Sequence, residues 1–389
     1  MMYVRSILIL ALLAGCNGPD FAAARAAPAH DAPPQSAATP GVMPQSSPDD
    51  PAVSRLRTAI AVYREIATRG GWQPIPSGSK LELGAQGPRV AALHRTLLVT
   101  GDLVGSGNPA EQFDEHLAAA VRRFQSRHGL EPDGIAGAQT LAALNVPIER
   151  RLTTMALNLS RMQSEEQAWG ARYVAVNAAA ASYRLVESGR DVFERPAVVG
   201  KPGWPTPRVD GIIEALEFHP YWTVPPRIAA LEIWPKVRRD AGYLRRNHMR
   251  IVDGQIRQDP GPDNPLGLVK FIFPNPYSVY LHDTNHRELF EKAKRFQSHG
   301  CVRISGALDL ARLLLKGNAD WSESRIADAI AGARTVRIEL SSPIPIHITY
   351  RTAWVDDDGV LQFRDDVYGR DRSEIASLAA PSTAETCND

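Results

Sequence analysis

Two histidines and a cysteine in the C-terminal half of the chain have side chains that suit acyl-transfer chemistry. The segment Ser298-His299-Gly300-Cys301-Val302-Arg303 follows Leu281-His282-Asp283 along the chain. A thiolate is the nucleophile in cysteine catalysis, and an imidazole can take the thiol proton and later return it to the leaving group. A glycine beside the cysteine allows a backbone turn whose N–H groups stabilise an oxyanion.

Spacing alone leaves the choice of base open. His299 and Cys301 are two residues apart, so they would share one face of an extended strand, while His282 lies further upstream. Zinc binding is the alternative chemistry, because imidazole and thiolate are zinc ligands and His286 adds a third imidazole. The pattern Leu281–Thr284 indicates a strand end that runs into a loop, so His282 and His286 would not share a helical face. We therefore predict no metal site.

Several separated motifs resemble the L,D-transpeptidase (YkuD-type) catalytic domain, and most closely its large YcbB-like branch. The resemblance runs from about Leu56 to Asp371. Besides the two segments above, its motifs are Gly261-Pro262-Asp263-Asn264-Pro265-Leu266-Gly267, Lys270-Phe271, Pro274-Asn275 and Tyr280-Leu281-His282-Asp283-Thr284. The resemblance implies an α+β fold: a β-rich catalytic domain with a capping insertion, preceded by a small three-helix peptidoglycan-binding-like domain.

The resemblance also implies roles for individual residues. Cys301 would be the nucleophile and His282 the general base and acid. The backbone carbonyl of Asp283 would orient that imidazole, and His299 would support the turn. The remaining candidates are the N–H groups of Gly300 and Cys301 for the oxyanion, Arg303 for the turn or a substrate carboxylate, and Tyr280, Trp222 and Ser298 for substrate binding. The alternatives are packing for Tyr280 and Trp222, a hydrogen bond within the turn for Ser298, and a salt bridge within the domain for Arg303.

The activity implied by the resemblance is peptidoglycan cross-linking. Cys301 would cleave the terminal D-alanine from a donor tetrapeptide stem, and the acyl group would pass to a diamino-acid amine of another stem. Thiol, imidazole and N–H groups suffice for this reaction, so no cofactor is expected. The alternatives are an L,D-carboxypeptidase or cysteine peptidase, and a catalytically idle peptidoglycan-binding scaffold.

The elements that must position these residues follow from the apolar pattern. Strands are predicted at 173–177, 182–187, 192–200, 218–224, 269–273, 279–281, 335–340 and 344–350. Ser305 is predicted to cap a helix that ends at Leu315. Runs of strands with few helices indicate α+β rather than alternating α/β architecture.

A cap over the site is predicted from Pro225 to about Pro260, where strand patterning is absent. It is basic, and peptidoglycan stems carry carboxylates, although a solvated charged face is the alternative. Its cations are Lys236, Arg238, Arg239, Arg245, Arg246 and Arg250.

The segment that precedes the catalytic motifs has the apolar pattern of helices. Phe124-Gln125, His128-Gly129-Leu130 and Asp133-Gly134 resemble a three-helix peptidoglycan-binding domain, in which Asp114 would cap the second helix. A helical spacer is the alternative. The predicted domains are a helical segment at 51–82, the helical domain at 83–148, a connecting helix at 149–170, the catalytic domain at 171–350, a hairpin at 351–371 and a disordered tail at 372–389.

The first residues indicate export. Arg5 precedes an apolar run too short to span a bilayer, which predicts a signal peptide at 1–16. Leu13-Ala14-Gly15-Cys16 resembles a lipobox, with lipidation at Cys16, although ordinary cleavage in 22–27 is the alternative. Residues 17–50 are rich in Ala, Pro and Ser and indicate a disordered linker. The expected location is the periplasm or cell envelope, with a possible lipid anchor in the outer or inner membrane.

Charge excludes one class of partner. The 389 residues contain 44 Lys and Arg against 43 Asp and Glu, a net charge of +1. A nucleic-acid-binding protein usually carries a clear basic excess, so none is expected as a partner. Three cysteines are present, and Cys387 lies in the polar tail, so no structural disulfide is expected.

Overall fold

A helical region opens the computed structural model, which describes residues 51–105, 111–165 and 169–379. Its helices are α1 (Pro51–Thr68), α2 (Pro88–Val99), α3 (Glu115–Arg127), α4 (Ala138–Leu144) and α5 (Ile148–Glu165). The carboxylate of Asp114 accepts a hydrogen bond from the Leu117 N–H at 2.8 Å, which confirms the predicted cap of α3. Apolar residues of α2, α3 and α4 form a separate core around Phe113.

The largest element is a nine-stranded sheet in the order β10-β3-β11-β9-β8-β4-β12-β1-β2. A further β2–β3 pairing closes all strands except β10 into a barrel, so β10 is left at an edge. The strands are β1 (Arg172–Asn177), β2 (Ser182–Glu187), β3 (Arg190–Gly200), β4 (Val209–Phe218), β8 (Val269–Ile272), β9 (Leu281–His282), β10 (Phe296–Ser298), β11 (Val302–Ile304) and β12 (Val336–Thr349).

The cap is a small folded unit with its own apolar cluster around Ile233 and Ile256. It contains the sheet β5-β7-β6. Its elements are β5 (Trp222–Thr223), α6 (Pro226–Ile228), a π-helical turn (Ala229–Ile233), α7 (Trp234–Arg239), α8 (Tyr243–Arg246), β6 (Met249–Val252) and β7 (Gln255–Gln258). The β6–β7 hairpin was not predicted; its turn residues Asp253 and Gly254 have φ of 50° and 76°, the combination that a tight hairpin requires.

Two predictions about strands need correction. The predicted strand 218–224 is wrong, because the chain turns at His219, with φ of 48°, and β4 and β5 belong to different sheets. The two predicted late strands are one strand, β12, whose pairing with β4 shifts register between Glu339 and Ile344. A local bulge interrupts the alternation there, which made one strand look like two.

The C-terminal elements also differ from expectation. Helix α9 (Ala307–Leu315) begins after Gly306, which has φ of 67° and makes no side-chain cap, so Ser305 is not the cap. Helix α10 (Glu323–Ala331), the hairpin β13 (Ala353–Val355) and β14 (Leu361–Phe363), and α11 (Arg370–Ala379) follow. The disordered tail is wrong for the residues up to Ala379. Arg161 of α5 forms a buried ion pair of 2.7 Å with Asp371, which anchors α11.

The predicted signal peptide, the lipidation of Cys16 and the predicted linker concern residues 1–50, which lie outside the described residues, as do residues 380–389 of the predicted tail. Over the described ranges, no helix combines the length and the apolar character needed to cross a bilayer.

Candidate active site

Strand register brings the predicted base beside two cations. His282 of β9 pairs with Arg303 of β11 on one side and with Lys270 of β8 on the other. Paired residues in neighbouring strands point to the same face of a sheet, so the three side chains form a row. The alternate residues Phe271 and Leu281 are fully buried in the core, which places the row on the opposite face.

Cys301 precedes β11 and shares this face. The pairing of Val302 with Leu281, and a 3.1 Å hydrogen bond from the Val302 N–H to the Tyr280 carbonyl, put Cys301 next to Tyr280. Cys301 is half-buried and forms no disulfide in the described chain. Since Tyr280 and His282 are two residues apart in one extended segment, the thiol and the imidazole lie on the same side of the fold.

The imidazole of His282 is held in one orientation. It is 4% exposed, and its Nδ1 lies 2.6 Å from the carbonyl oxygen of Asp283. A carbonyl can only accept, so Nδ1 carries the proton and Nε2 is left as the basic nitrogen. Burial, followed by the positive charge of Arg303, lowers the pKa of His282 to about 3. The side chain is therefore a neutral base at neutral pH.

The thiol of Cys301 is also neutral at rest. Burial raises its pKa above the ordinary value, while contacts from Tyr280 and the charge of Lys270 oppose that shift. Lys270 is itself partly buried, with its ammonium 4.1 Å from the centroid of the Tyr280 ring. Because both partners are neutral, the proton passes from sulfur to nitrogen only when a substrate stabilises the charges that form.

The turn around Gly300 is fixed by Ser298. The Ser298 hydroxyl donates to the Cys301 carbonyl at 2.5 Å and accepts from the Gly300 N–H at 3.1 Å. Ser298 is 2% exposed. These contacts correct two expectations: Ser298 stabilises the turn instead of facing substrate, and the Gly300 N–H is not free for an oxyanion. The N–H of Cys301, which has no acceptor among the described residues, is the remaining oxyanion donor.

His299 connects the turn to the cap. Its Nε2 lies 2.6 Å from a carboxylate oxygen of Glu232 in the cap and 3.2 Å from the ammonium of Lys201. Its ring also meets Trp204 edge-on, and the guanidinium of Arg227, another cap residue, lies 3.7 Å from the Trp204 ring centroid. The His299 imidazole is therefore directed towards the cap and is not positioned to act as the general base.

The remaining candidate residues, Trp222, Arg303 and His286, lie in different surroundings. Trp222 packs, partly buried, against the apolar cluster of the cap. The Nε of Arg303 is buried and has no hydrogen-bond partner among the described residues. His286 pairs with Glu288 at 3.2 Å, away from His299, and the described residues hold no group of three side chains that could bind a metal ion.

Sequence reasoning missed Lys270 as a site residue and Glu232 as the partner of His299. The alternation Val269-Lys270-Phe271 carried a signal for Lys270, because it places a cation in a strand beside His282. Nothing local in the sequence indicates the contact between Glu232 and His299, which are 67 residues apart.

Comparison with known families decides the class of the domain. Residues 171–331 match the YkuD family, described as "L,D-transpeptidase catalytic domain". Residues 171–331 are a YkuD-type L,D-transpeptidase catalytic domain. Residues 86–144 match the family described as "Putative peptidoglycan binding domain". The α+β fold expected from the resemblance is confirmed, whereas membership of the YcbB-like branch stays a prediction.

Three individual proteins are also similar to this chain. A protein of Haemophilus influenzae named "Putative L,D-transpeptidase" is 30% identical over 214 residues, which cover 49% of this chain and 43% of that protein. The match therefore spans less than half the length of this curated relative. Among solved structures, an L,D-transpeptidase from Xylanimonas cellulosilytica is 18% identical, covering 71% of this chain and all of that one, at a TM-score of 0.24. One from Stackebrandtia nassauensis is 15% identical, covering 71% of this chain and 96% of that one, at a TM-score of 0.27.

Proposed function

We propose that the chain is a peptidoglycan L,D-transpeptidase in which Cys301 is the nucleophile and His282 the general base and acid. The observation that carries the proposal is the shared face of β9 and the start of β11, which places the half-buried thiol and the oriented, neutral imidazole on the same side of the sheet. The YkuD match supports the substrate class.

The first half-reaction cleaves a donor stem. Nε2 of His282 takes the thiol proton as Sγ of Cys301 attacks the carbonyl carbon of the third stem residue. The oxyanion of the tetrahedral intermediate accepts a hydrogen bond from the Cys301 N–H. The intermediate then collapses: the bond to the terminal D-alanine breaks, the imidazolium gives its proton to the leaving amine, and a thioester remains.

The second half-reaction resolves the thioester. The side-chain amine of a diamino acid on another stem attacks the acyl carbon, and His282 takes the amine proton and returns it to the departing sulfur. If water replaces the amine, the same steps give carboxypeptidase activity. Arg303, whose Nε has no hydrogen-bond partner among the described residues, is the candidate to pair with the free carboxylate of a stem.

The proposed location is the cell envelope, because the substrate is there. The match of residues 86–144 to a peptidoglycan-binding family supports a role for the helical domain in holding the enzyme on its polymer. Lipidation at Cys16 and a periplasmic address remain part of this proposal.

Incubation with a carbapenem and with purified disaccharide-tetrapeptide tests the function by intact mass and product analysis. We expect a covalent adduct on the wild-type chain, loss of D-alanine from the tetrapeptide, and neither in Cys301→Ala. The conservative Arg57→Lys variant on α1 is the control for effects of mutagenesis and purification that are unrelated to the site. An adduct that persists in Cys301→Ala, or a wild type that forms none, would contradict the nucleophile assignment, and cleavage of ordinary L-peptides would favour a cysteine peptidase.

A further inference from the structure

A groove of about 780 Å³ lies between the helical domain and the catalytic domain. One wall is the loop Gly129–Pro132 that follows α3, and the other is the segment Lys292–Gln297 that leads into the catalytic turn. We call this the interdomain groove. It is not the catalytic site, since none of its lining residues is among those assigned to the chemistry above.

The groove follows the open edge of the sheet. Among the described strands, β10 pairs with β3 alone, and its residues Phe296 and Gln297 line the groove. An edge strand leaves backbone N–H and C=O groups able to pair with an extended peptide. The groove therefore offers a peptide both a channel and backbone partners.

The catalytic wall carries three cations, Lys292, Lys294 and Arg295, and one exposed carboxylate, Glu291. Lys292 and Lys294 are exposed, and neither forms an ion pair within the described ranges. Within the described chain, the hydrogen bonds of Arg295 go to backbone carbonyls such as that of Ala181. Three cations against one carboxylate favour an anionic ligand on this wall.

The opposite wall carries two carboxylates and one cation, because Arg364, which donates to the Arg127 carbonyl, lines the groove next to Asp365. Glu131 from the helical domain and Asp365 from the C-terminal segment are exposed and line the groove without an ion pair in the described chain. Charges of opposite sign on facing walls suit a ligand that carries both carboxylates and an amine.

The groove is close to the nucleophile along the chain. Gln297 is followed by Cys301 after four residue steps, which limits the separation of their Cα atoms to about 14 Å. A stem of three or four residues, when extended, spans a similar length of about 10–14 Å. A peptide in the groove could thus present a group to the thioester.

We propose that the interdomain groove binds the stem peptide of a second peptidoglycan strand, the acceptor, through its free carboxylates. This inference depends on the proposed function, because it assigns to the groove the stem that resolves the acyl-enzyme. It gives the contact between the helical and catalytic domains a role in substrate binding.

Calorimetric titration of the full chain with a free tripeptide stem tests the groove. The tripeptide lacks the terminal D-alanine of a donor, so it reports acceptor binding. We expect Lys292→Glu combined with Lys294→Glu to weaken binding about tenfold or more, since two attractions become repulsions. Arg64→Glu with Arg150→Glu is the matched control: it makes the same change of net charge at two exposed helical positions outside the groove. Circular dichroism establishes that the variants are folded.

Two further ligands separate the possible sources of affinity. The first ligand is a tripeptide with amidated carboxylates. Its affinity for the wild type should be as low as that of the unmodified tripeptide for the double Glu variant. The second ligand, the disaccharide without peptide, should not bind in the groove. Equal affinity of the wild type and the double Glu variant, or no tripeptide binding by the wild type, overturns the inference. The function proposed above fails on a different result, the absence of a Cys301 adduct.

Discussion

At the scale of single residues, the site is a neutral pair that acquires charge only during reaction. The imidazole of His282 is buried and hydrogen-bonded through Nδ1 to a carbonyl, and the thiol of Cys301 has a raised pKa. Such a pair resists adventitious oxidation and alkylation, because the thiolate is scarce until a carbonyl substrate arrives. The cation that most directly favours the thiolate is Lys270, on the neighbouring strand.

Replacement of Lys270 should therefore shift the pH dependence of acylation. The charge of Lys270 lowers the pKa of the thiol, so Lys270→Met should move the rise of the carbapenem acylation rate to higher pH. Lys270→Arg should restore most of the wild-type profile, because the charge is kept. The rate constant measured by stopped-flow fluorescence from pH 6 to 10 gives both midpoints. Identical profiles for wild type and Lys270→Met would show that Lys270 has no electrostatic role.

The buried imidazole should also make stability depend on pH. The pKa of His282 is about 3 in the folded chain against an ordinary 6.5, so acid protonates the unfolded chain first. The free energy of unfolding should be unaffected above pH 6.5 and fall as pH decreases towards 3, by about 3 kcal/mol at pH 4.5 for this residue.

Urea denaturation of wild type and His282→Gln at pH 7.5 and pH 4.5 measures this contribution. The loss of stability between the two pH values should be smaller in His282→Gln by about that amount. Buried His128, whose pKa is also lowered, contributes equally to both proteins and cancels in the comparison. Equal losses in the two proteins would mean that the pKa of His282 is the same in the folded and the unfolded chain.

At the scale of elements, short-range sequence patterns predicted the type and position of individual helices and strands. The pairing of strands and the contacts between distant residues could not be predicted in this way. Alternation placed strands near β1 and β2, and the Asp114 cap needed only the residues that follow it. The nucleophile turn was identifiable because its residue types are unusual. The free oxyanion donor was not, since the occupation of the Gly300 N–H depends on the rotamer of Ser298.

The cap shows the same limit. The Asp253-Gly254 pair favours the tight turn of its β6–β7 hairpin, but a two-residue turn does not show where the hairpin is attached. Its attachment depends on Glu232 meeting His299, a contact between residues far apart in sequence. The sequence therefore located a basic insertion, and only the fold shows that the insertion is tied to the residue beside the nucleophile.

At the scale of the whole molecule, Phe363 joins the helical region to the C-terminal hairpin. It is 1% exposed, and its ring centroid lies 6.2 Å from that of Tyr63 in α1 and 5.4 Å from that of His128 after α3. The guanidinium of Arg151 in α5 lies 4.5 Å from the same ring. One side chain of β14 thus contacts three separate parts of the helical region, and these contacts also border the interdomain groove at His128.

Phe363→Ala should consequently weaken the coupling between the regions as well as the overall stability. Loss of a fully buried aromatic ring costs about 3–5 kcal/mol, and here the cavity opens between the regions rather than inside either core. We expect differential scanning calorimetry to show a lower first transition that separates from the unfolding of the barrel, with Tyr277→Ala, at a position 57% exposed, as the neutral control. A single transition as steep as that of the wild type would contradict this expectation, whether or not its midpoint temperature is lower. The regions would then be coupled by other contacts, such as the buried pair of Arg161 and Asp371 that attaches α11 to α5.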